Sequence, residues 1–489
     1  MLPLSDQQKS TLAHQVRTSL ARGDWTTARS GLEQLFRSEP KRADLAFQLS
    51  RVAFEAGDRA ACLSWMDKAV ALAPANGKLT LAAAERFRQL GADEAALRAY
   101  DLAIASDRKA LKPRADKAHY LQLLGRFEES DSQFRKLISQ HPEEAELYRI
   151  FLATKKPGPG DPLLSAMERL WDSSRLTDPR RVHLAYALAK AMEETARTDR
   201  VFAFLRRANE LQRRAAPFDS AAQEREFAGV LAAQDGLPTE PFGAPLAIRP
   251  VFVTGMPRSG TTLVERILAA HGDVTAGGEI GHAMRLAYQM FGVGEAMRPL
   301  AAEPEARLRR FAERYATLVT RDLGPKTPVI TDKSILCHLI FGLLNRTLPG
   351  ARIIVVLRDP RDIALSIYKN HFTTGSHRYA NDLADIAVAI KRFRRNVAHW
   401  KSRLPGVIHE IRYEDLVTEP EAQSRALVAA AGLGWQDACL DFHSAGGAVK
   451  TLSVSQVRQP IYRGSAEAWR KYETELEPFI AAWGTDSWD

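Results

Sequence analysis

Four glycines, Gly23, Gly57, Gly91 and Gly125, recur at a spacing of 34 residues. A chain with such a period builds small supersecondary units that bury their apolar faces only by stacking on one another. Five residues after each glycine stand Ala28, Cys62, Ala96 and Ser130, all small, and nine after stand Leu32, Met66, Tyr100 and Phe134, all bulky. Seventeen after come Pro40, Pro74, Arg108 and Pro142, so three of the four units carry a terminating proline. The pattern predicts two antiparallel helices per unit. They approach closely where side chains are small, the bulky residue fills the adjacent gap, and the glycine supplies the turn between them.

Over about residues 8–150 this segment resembles the tetratricopeptide repeats. The resemblance implies an all-α superhelix whose concave face holds a protein or peptide, with self-association into a homodimer or bracing of the rest of the chain as the alternative. KKPGPGDP, residues 155–162, breaks the pattern. Helical periodicity resumes over 182–214 as a degenerate pair without the turn glycine, and a last helix near 219–234 leads to the breaker DGLPTEPFGAP, residues 235–245. The expected division is repeats at 8–150, a degenerate helical connector at 160–235 and a second domain at 248–489.

The 489 residues are enough for two to four domains, and a 26% charged, 45% hydrophobic composition argues against wholesale disorder. The 68 basic and 59 acidic residues leave a net charge of +9, which favours anionic ligands without singling out nucleic acid, and no nucleic-acid partner is expected. Cys62, Cys337 and Cys439 stand far apart, so neither a disulfide framework nor a metal site is indicated. The first residues, MLPLSDQQKSTLAHQ, lack a signal-peptide pattern, and no apolar run reaches the ~18 residues of a membrane span. The expectation is a cytoplasmic protein with no transmembrane segment.

Residues 250–268 read PVFVTGMPRSGTTLVERIL. An apolar, β-rich run from Val251 to Thr254 precedes a glycine-containing loop, and Leu263, Val264, Ile267 and Leu268 follow at helical spacing. Strand, loop and helix in this order form a phosphate cradle, in which backbone N–H groups converge at a helix N-terminus whose dipole favours an anion. The spacing of Gly255, Gly260 and Thr262 approaches GxxxxGK[ST], but Thr261 stands where nucleotide hydrolases and kinases carry lysine, which argues against that class. Arg258 inside the loop offers a different cation.

PRSGTT in this context resembles the loop of sulfotransferases that use 3′-phosphoadenosine-5′-phosphosulfate (PAPS), in particular the tyrosylprotein branch. Three further motifs fit, and together they cover about residues 249–475. In ARIIVVLRDPRDIALSIYKNHF, Arg358 ends a strand and Ser366 follows eight residues on, the pair that grips the 3′-phosphate in relatives. RYEDLVTEPE, residues 412–421, supplies Tyr413 as a nucleotide contact, and near the C-terminus Ser453, Arg463 and Gly464 match lid positions that touch the donor. The implied fold is an α/β domain with a central, mostly parallel sheet behind the repeats. The implied donor site comprises Pro257, Arg258, Ser259, Gly260, Thr261, Thr262, Arg358, Ser366, Tyr413, Arg463 and Gly464.

Sulfuryl transfer needs an in-line acceptor oxygen, charge stabilisation on the leaving phosphate and a base for the acceptor proton, and the family uses no metal. The resemblance gives Lys333 and Arg258 the leaving-group role, with Ser453 as companion of Lys333, and Glu279 in VTAGGEIGH the role of base. An unaided hydroxyl is a poor nucleophile, since even tyrosine has a pKa of ~10. His282 is the competing base; His271, His371 and His377 have no comparable context. The chain departs from the tyrosylprotein branch at Asn370, where relatives have arginine, and at Ala468, where they have lysine. The expected function is sulfuryl transfer from PAPS to a hydroxyl acceptor, with a protein or peptide tyrosine recruited by the repeats. The alternatives are a carbohydrate, lipid or metabolite acceptor, or a repeat scaffold with a vestigial nucleotide site.

Overall fold

The computed structural model describes residues 4–373, 375, 377–444 and 467–488. They group into two compact units, residues 1–117 with 314–326, and residues 118–313 with 327–489.

In the first unit the hairpins are Asp6–Arg22 with Trp25–Ser38, Ala43–Ala56 with Arg59–Leu72, and Gly77–Gln89 with Asp93–Ser106. Each turns on its glycine in the left-handed region, at φ +69° for Gly23, +91° for Gly57 and +65° for Gly91. The closure is the same each time: the N–H of the residue after the glycine reaches back over the last helical turn, as from Asp58 to the Ala53 carbonyl (2.9 Å) and from Ala92 to Phe87 (2.9 Å). Asp24 and Asp58 then cap the second helices by accepting from the Thr27 and Ala61 N–H groups. Ala28, Cys62 and Ala96 are wholly buried, and Leu32, Met66 and Tyr100 fill the gaps beside them, as the repeat pattern requires.

Residues 314–326 belong to this unit although they fall inside the span 248–489. Arg321 is buried and donates to the Phe54 carbonyl (3.1 Å), and its guanidinium and that of Arg86 lie 3.5 and 3.3 Å from the Phe54 ring centre. Arg59 donates to the carbonyls of Arg321 (3.0 Å) and Asp322 (2.9 Å), satisfying acceptors at the end of the helix Glu305–Leu323.

The second unit begins with further helices, among them Phe127–Gln140, Ala145–Leu152, Asp178–Glu194, Val201–Ala215 and Ser220–Ala232. The pair read from the sequence as lacking a turn glycine closes in the same way with Ala196 at φ +59°, the Arg197 N–H reaching the Met192 carbonyl at 2.8 Å.

Among the described residues five parallel strands follow: β1 Arg249–Gly255, β2 Val274–Thr275, β3 Val329–Asp332, β4 Arg352–Leu357 and β5 Ile408–Arg412. Their order is β2-β3-β1-β4-β5, with Val251 opposite Thr331 on one side and Arg352 on the other. The continuous apolar runs of β1 and β4 suit strands covered on both faces. Val251, Val253, Ile354 and Val356 pack with Val264, Ile267 and Leu268 of the helix Thr261–Ala269 and with Leu427 and Val428 of the helix Pro420–Ala430. The architecture is therefore the all-α repeat array and parallel α/β domain expected from the sequence. No helix among the described residues is long and apolar enough to cross a membrane.

Because the strands are parallel, their carboxyl ends share one edge of the sheet, where open α/β sheets bind ligands. There β1 leads into residues 256–260, β3 into Lys333, β4 into Arg358 and β5 into Tyr413.

Candidate active site

The loop between β1 and the helix Thr261–Ala269 is tightly specified. A Cβ on Gly255 would meet the Val356 carbonyl at 2.7 Å, and one on Gly260 would meet the Tyr413 ring at 2.5 Å. Gly260, at φ +107°, is the N-cap of the helix, so the amides that follow it project from the helix N-terminus. Arg258 holds φ +70°, a costly conformation for a side-chain-bearing residue. The Ser259 N–H donates to the Met256 carbonyl (3.1 Å) and tightens the turn. Its hydroxyl is fully buried and has no hydrogen-bond partner among the described residues.

Four of the residues singled out from the sequence meet at this loop. Arg258 Nε donates to Ser366 Oγ (2.9 Å), and Arg358 Nη1 donates to the Arg258 carbonyl (3.0 Å). The Arg358 guanidinium lies 4.5 Å from the centre of the Tyr413 ring. Ser366 sits on the helix Pro360–Tyr368, whose first turn follows β4 through the N-cap Asp359. Pro257, Thr261 and Thr262 flank the same turn, whereas Ser453, Arg463 and Gly464 lie outside the described residues.

A second cluster stands at the ends of β2 and β3. Lys333 Nζ donates to Glu279 Oε1 (2.7 Å); the lysine side chain is 3% exposed and the glutamate 53%. The cation is thus held in the wall while the carboxylate faces outward, where it can take a proton from a bound hydroxyl. Glu265, which the sequence reading does not single out, is buried and accepts from the Gly278 N–H (2.8 Å) and Thr331 Oγ1 (2.8 Å). Thr331 in turn accepts from the Gly277 N–H (3.0 Å), and the Lys333 N–H donates to the Gly278 carbonyl (2.9 Å). These bonds fix the segment that presents Glu279. His282, the competing base, is buried with its Nδ1 at 2.6 Å from Arg285 Nη2.

Asp362 also escaped the sequence reading. It is 2% exposed, lies 3.7 Å from Arg358 Nη2, and accepts the backbone N–H groups of Glu467 (2.8 Å) and Trp469 (3.0 Å). Burial raises its carboxyl above the usual range, and Arg358 opposes that rise. The arginine four residues earlier was its only sequence signal.

Residues 250–437 match the sulfotransferase family model. An uncharacterized protein of Aquifex aeolicus (strain VF5) is 31% identical over 379 residues, 74% of this chain and 49% of that protein, so the chain spans about half the length of this relative. A putative protein-tyrosine sulfotransferase of Caenorhabditis briggsae is 24% identical over 251 residues, covering 48% of this chain and 89% of the relative. Among solved structures, the sulfotransferase domain of the Synechococcus PCC 7002 olefin synthase aligns with a TM-score of 0.34 at 20% identity, over 47% of this chain and 90% of that one. The C-terminal half of the chain carries a domain of the sulfotransferase family.

Proposed function

We propose that the chain transfers a sulfuryl group from PAPS to a hydroxyl acceptor, and that the acceptor is a tyrosine of a protein or peptide recruited by the repeats. The observation that carries the donor assignment is the convergence of Arg258, Ser366, Arg358 and Tyr413 on one loop at a helix N-terminus. The buried Ser259 hydroxyl, without a hydrogen-bond partner among the described residues, is a polar group that a phosphate oxygen would satisfy. A cradle lined by two arginines suits a ligand with two separated anionic groups.

In this reading Pro257 to Thr262 hold the 5′ end, Arg358 and Ser366 the 3′-phosphate, and Tyr413 the nucleotide, with Arg463 and Gly464 completing the site and Ser453 accompanying Lys333. PAPS supplies the activated sulfuryl group. Arg258 and Lys333 stabilise negative charge at the leaving oxygen, and Glu279 Oε1 or Oε2 accepts the proton of the acceptor hydroxyl. The Lys333–Glu279 ion pair holds the carboxylate in place for that task.

The test is transfer of ³⁵S label from PAPS to tyrosine peptides with acidic flanks, using the full chain. The wild type should label the peptide, and Glu279→Gln should lower the rate about 10²- to 10⁴-fold while still binding the desulfated nucleotide. Equal rates would remove Glu279 as base, and label on sugars or metabolites alone would move the acceptor to another class.

A further inference from the structure

Arg358 alone cannot read a 3′-phosphate unless its long side chain is held in one orientation, and Tyr413, the Arg258 carbonyl and Asp362 are among the groups that hold it. The Tyr413 ring lies against the guanidinium at 4.5 Å, the Arg258 carbonyl accepts from Nη1 at 3.0 Å, and Asp362 stands 3.7 Å from Nη2. Of these, Asp362 is the only anion and is itself immobilised. It lies one turn after Arg358, on the helix that carries Ser366, and is 2% exposed. Both carboxylate oxygens are used, Oδ2 by the Glu467 N–H (2.8 Å) and Oδ1 by the Trp469 N–H (3.0 Å).

The segment donating these bonds is itself clamped to the helix. Trp469 is buried, and the guanidinium of Arg361, the neighbour of Asp362, lies 3.9 Å from its ring centre and 4.6 Å from that of Trp488. Glu467 takes φ +60°, a conformation that a side-chain-bearing residue keeps only where its surroundings enforce it. The backbone at 467–469, the helix Pro360–Tyr368 and the Arg358 side chain therefore share one buried carboxylate.

We propose that Asp362 is a positioning residue for nucleotide recognition: by tying the 467–469 backbone to Arg358 it sets the preference for a nucleotide bearing a 3′-phosphate. This rests on the donor assignment above. An aspartate that acted only through its charge would weaken anion binding, because it offsets the arginine. An aspartate that positions strengthens it, so the two roles predict opposite signs on removal.

The experiment is calorimetric titration of the full chain with adenosine 3′,5′-bisphosphate and with AMP, which lacks the 3′-phosphate. The wild type should prefer the bisphosphate, and in Asp362→Asn that preference should fall about ten-fold while AMP affinity changes less than about two-fold. Asp362→Glu keeps the charge but displaces it by one methylene, so it should lower the preference too, and it carries the test if the asparagine variant does not fold. Equal losses for both nucleotides would make Asp362 merely structural, and an unchanged or increased preference would overturn positioning. A wild type with no preference for the bisphosphate would refute the donor assignment itself, and the proposal with it.

Discussion

Replacing Gly260 with alanine tests the loop where the site is most tightly built. The added methyl meets two costs. The residue sits at φ +107°, which an L-residue adopts at a penalty of about 1–2 kcal/mol. The Cβ would also lie 2.5 Å from Tyr413 Cδ2 and 3.2 Å from Cε2, so the ring must move, at about 1–3 kcal/mol for overpacking a filled site. The expected loss is about 2–5 kcal/mol in the stability of the second unit, measured by urea unfolding. Because Tyr413 also lies against Arg358, bisphosphate affinity should fall in parallel. A double-mutant cycle separates the two costs: with Tyr413→Ala the steric part disappears and the backbone part stays, giving a coupling of about 1–3 kcal/mol. Strictly additive losses would show that the ring does not confine Gly260, and the tight-cradle argument would fail.

Other sites give independent outcomes. Ala196→Gly should stabilise the second unit by about 0.5–1 kcal/mol, since relief of the φ +59° strain exceeds the extra chain entropy of glycine, and a lower denaturation midpoint would refute the turn reading. Arg321→Ala should cost the first unit about 2–4 kcal/mol through loss of the Phe54 stacking and the charge-assisted bond to its carbonyl. Hydrogen exchange should then accelerate together over 43–56 and 314–326; exchange confined to one segment would contradict their common packing. Burial, with Arg149 and His183 beside it, pushes His371 down to about 3. Its unfolded pKa is ~6.5, so between these values the unfolded state holds the extra proton and stability should rise with pH up to about 6.5. His371→Asn should flatten that rise, and an unchanged slope would exclude His371 as its source.

The repeat half was legible because its signal is positional. A residue's place relative to the turn glycine fixes whether it faces a neighbouring helix, and Ala28, Cys62 and Ala96 are buried where that rule puts them. Arg358 and Ser366 are singled out through the family resemblance, and both lie close in sequence, one just past the end of β4 and the other on the helix that follows. What the sequence hid depends on distant partners. The helix Glu305–Leu323 is amphipathic, but its periodicity does not say that Phe54 and Arg59 cover its end. Glu265 and Asp362 are not singled out from the sequence, because the backbone amides that bond them inside belong to residues 278, 467 and 469, up to 107 positions away. Ala196 broke the glycine rule because tertiary packing can hold an alanine in a conformation its own preferences disfavour.

The central claim is that the cluster around Arg258, Ser366, Arg358 and Tyr413 is a nucleotide donor site. Its most direct test is calorimetric titration of adenosine 3′,5′-bisphosphate into the wild-type chain and into Arg358→Ala, which requires no knowledge of the acceptor. The account predicts saturable binding by the wild type and an affinity reduced at least about ten-fold in the variant. Well-folded wild type that does not bind, or a variant that binds equally well, would contradict it.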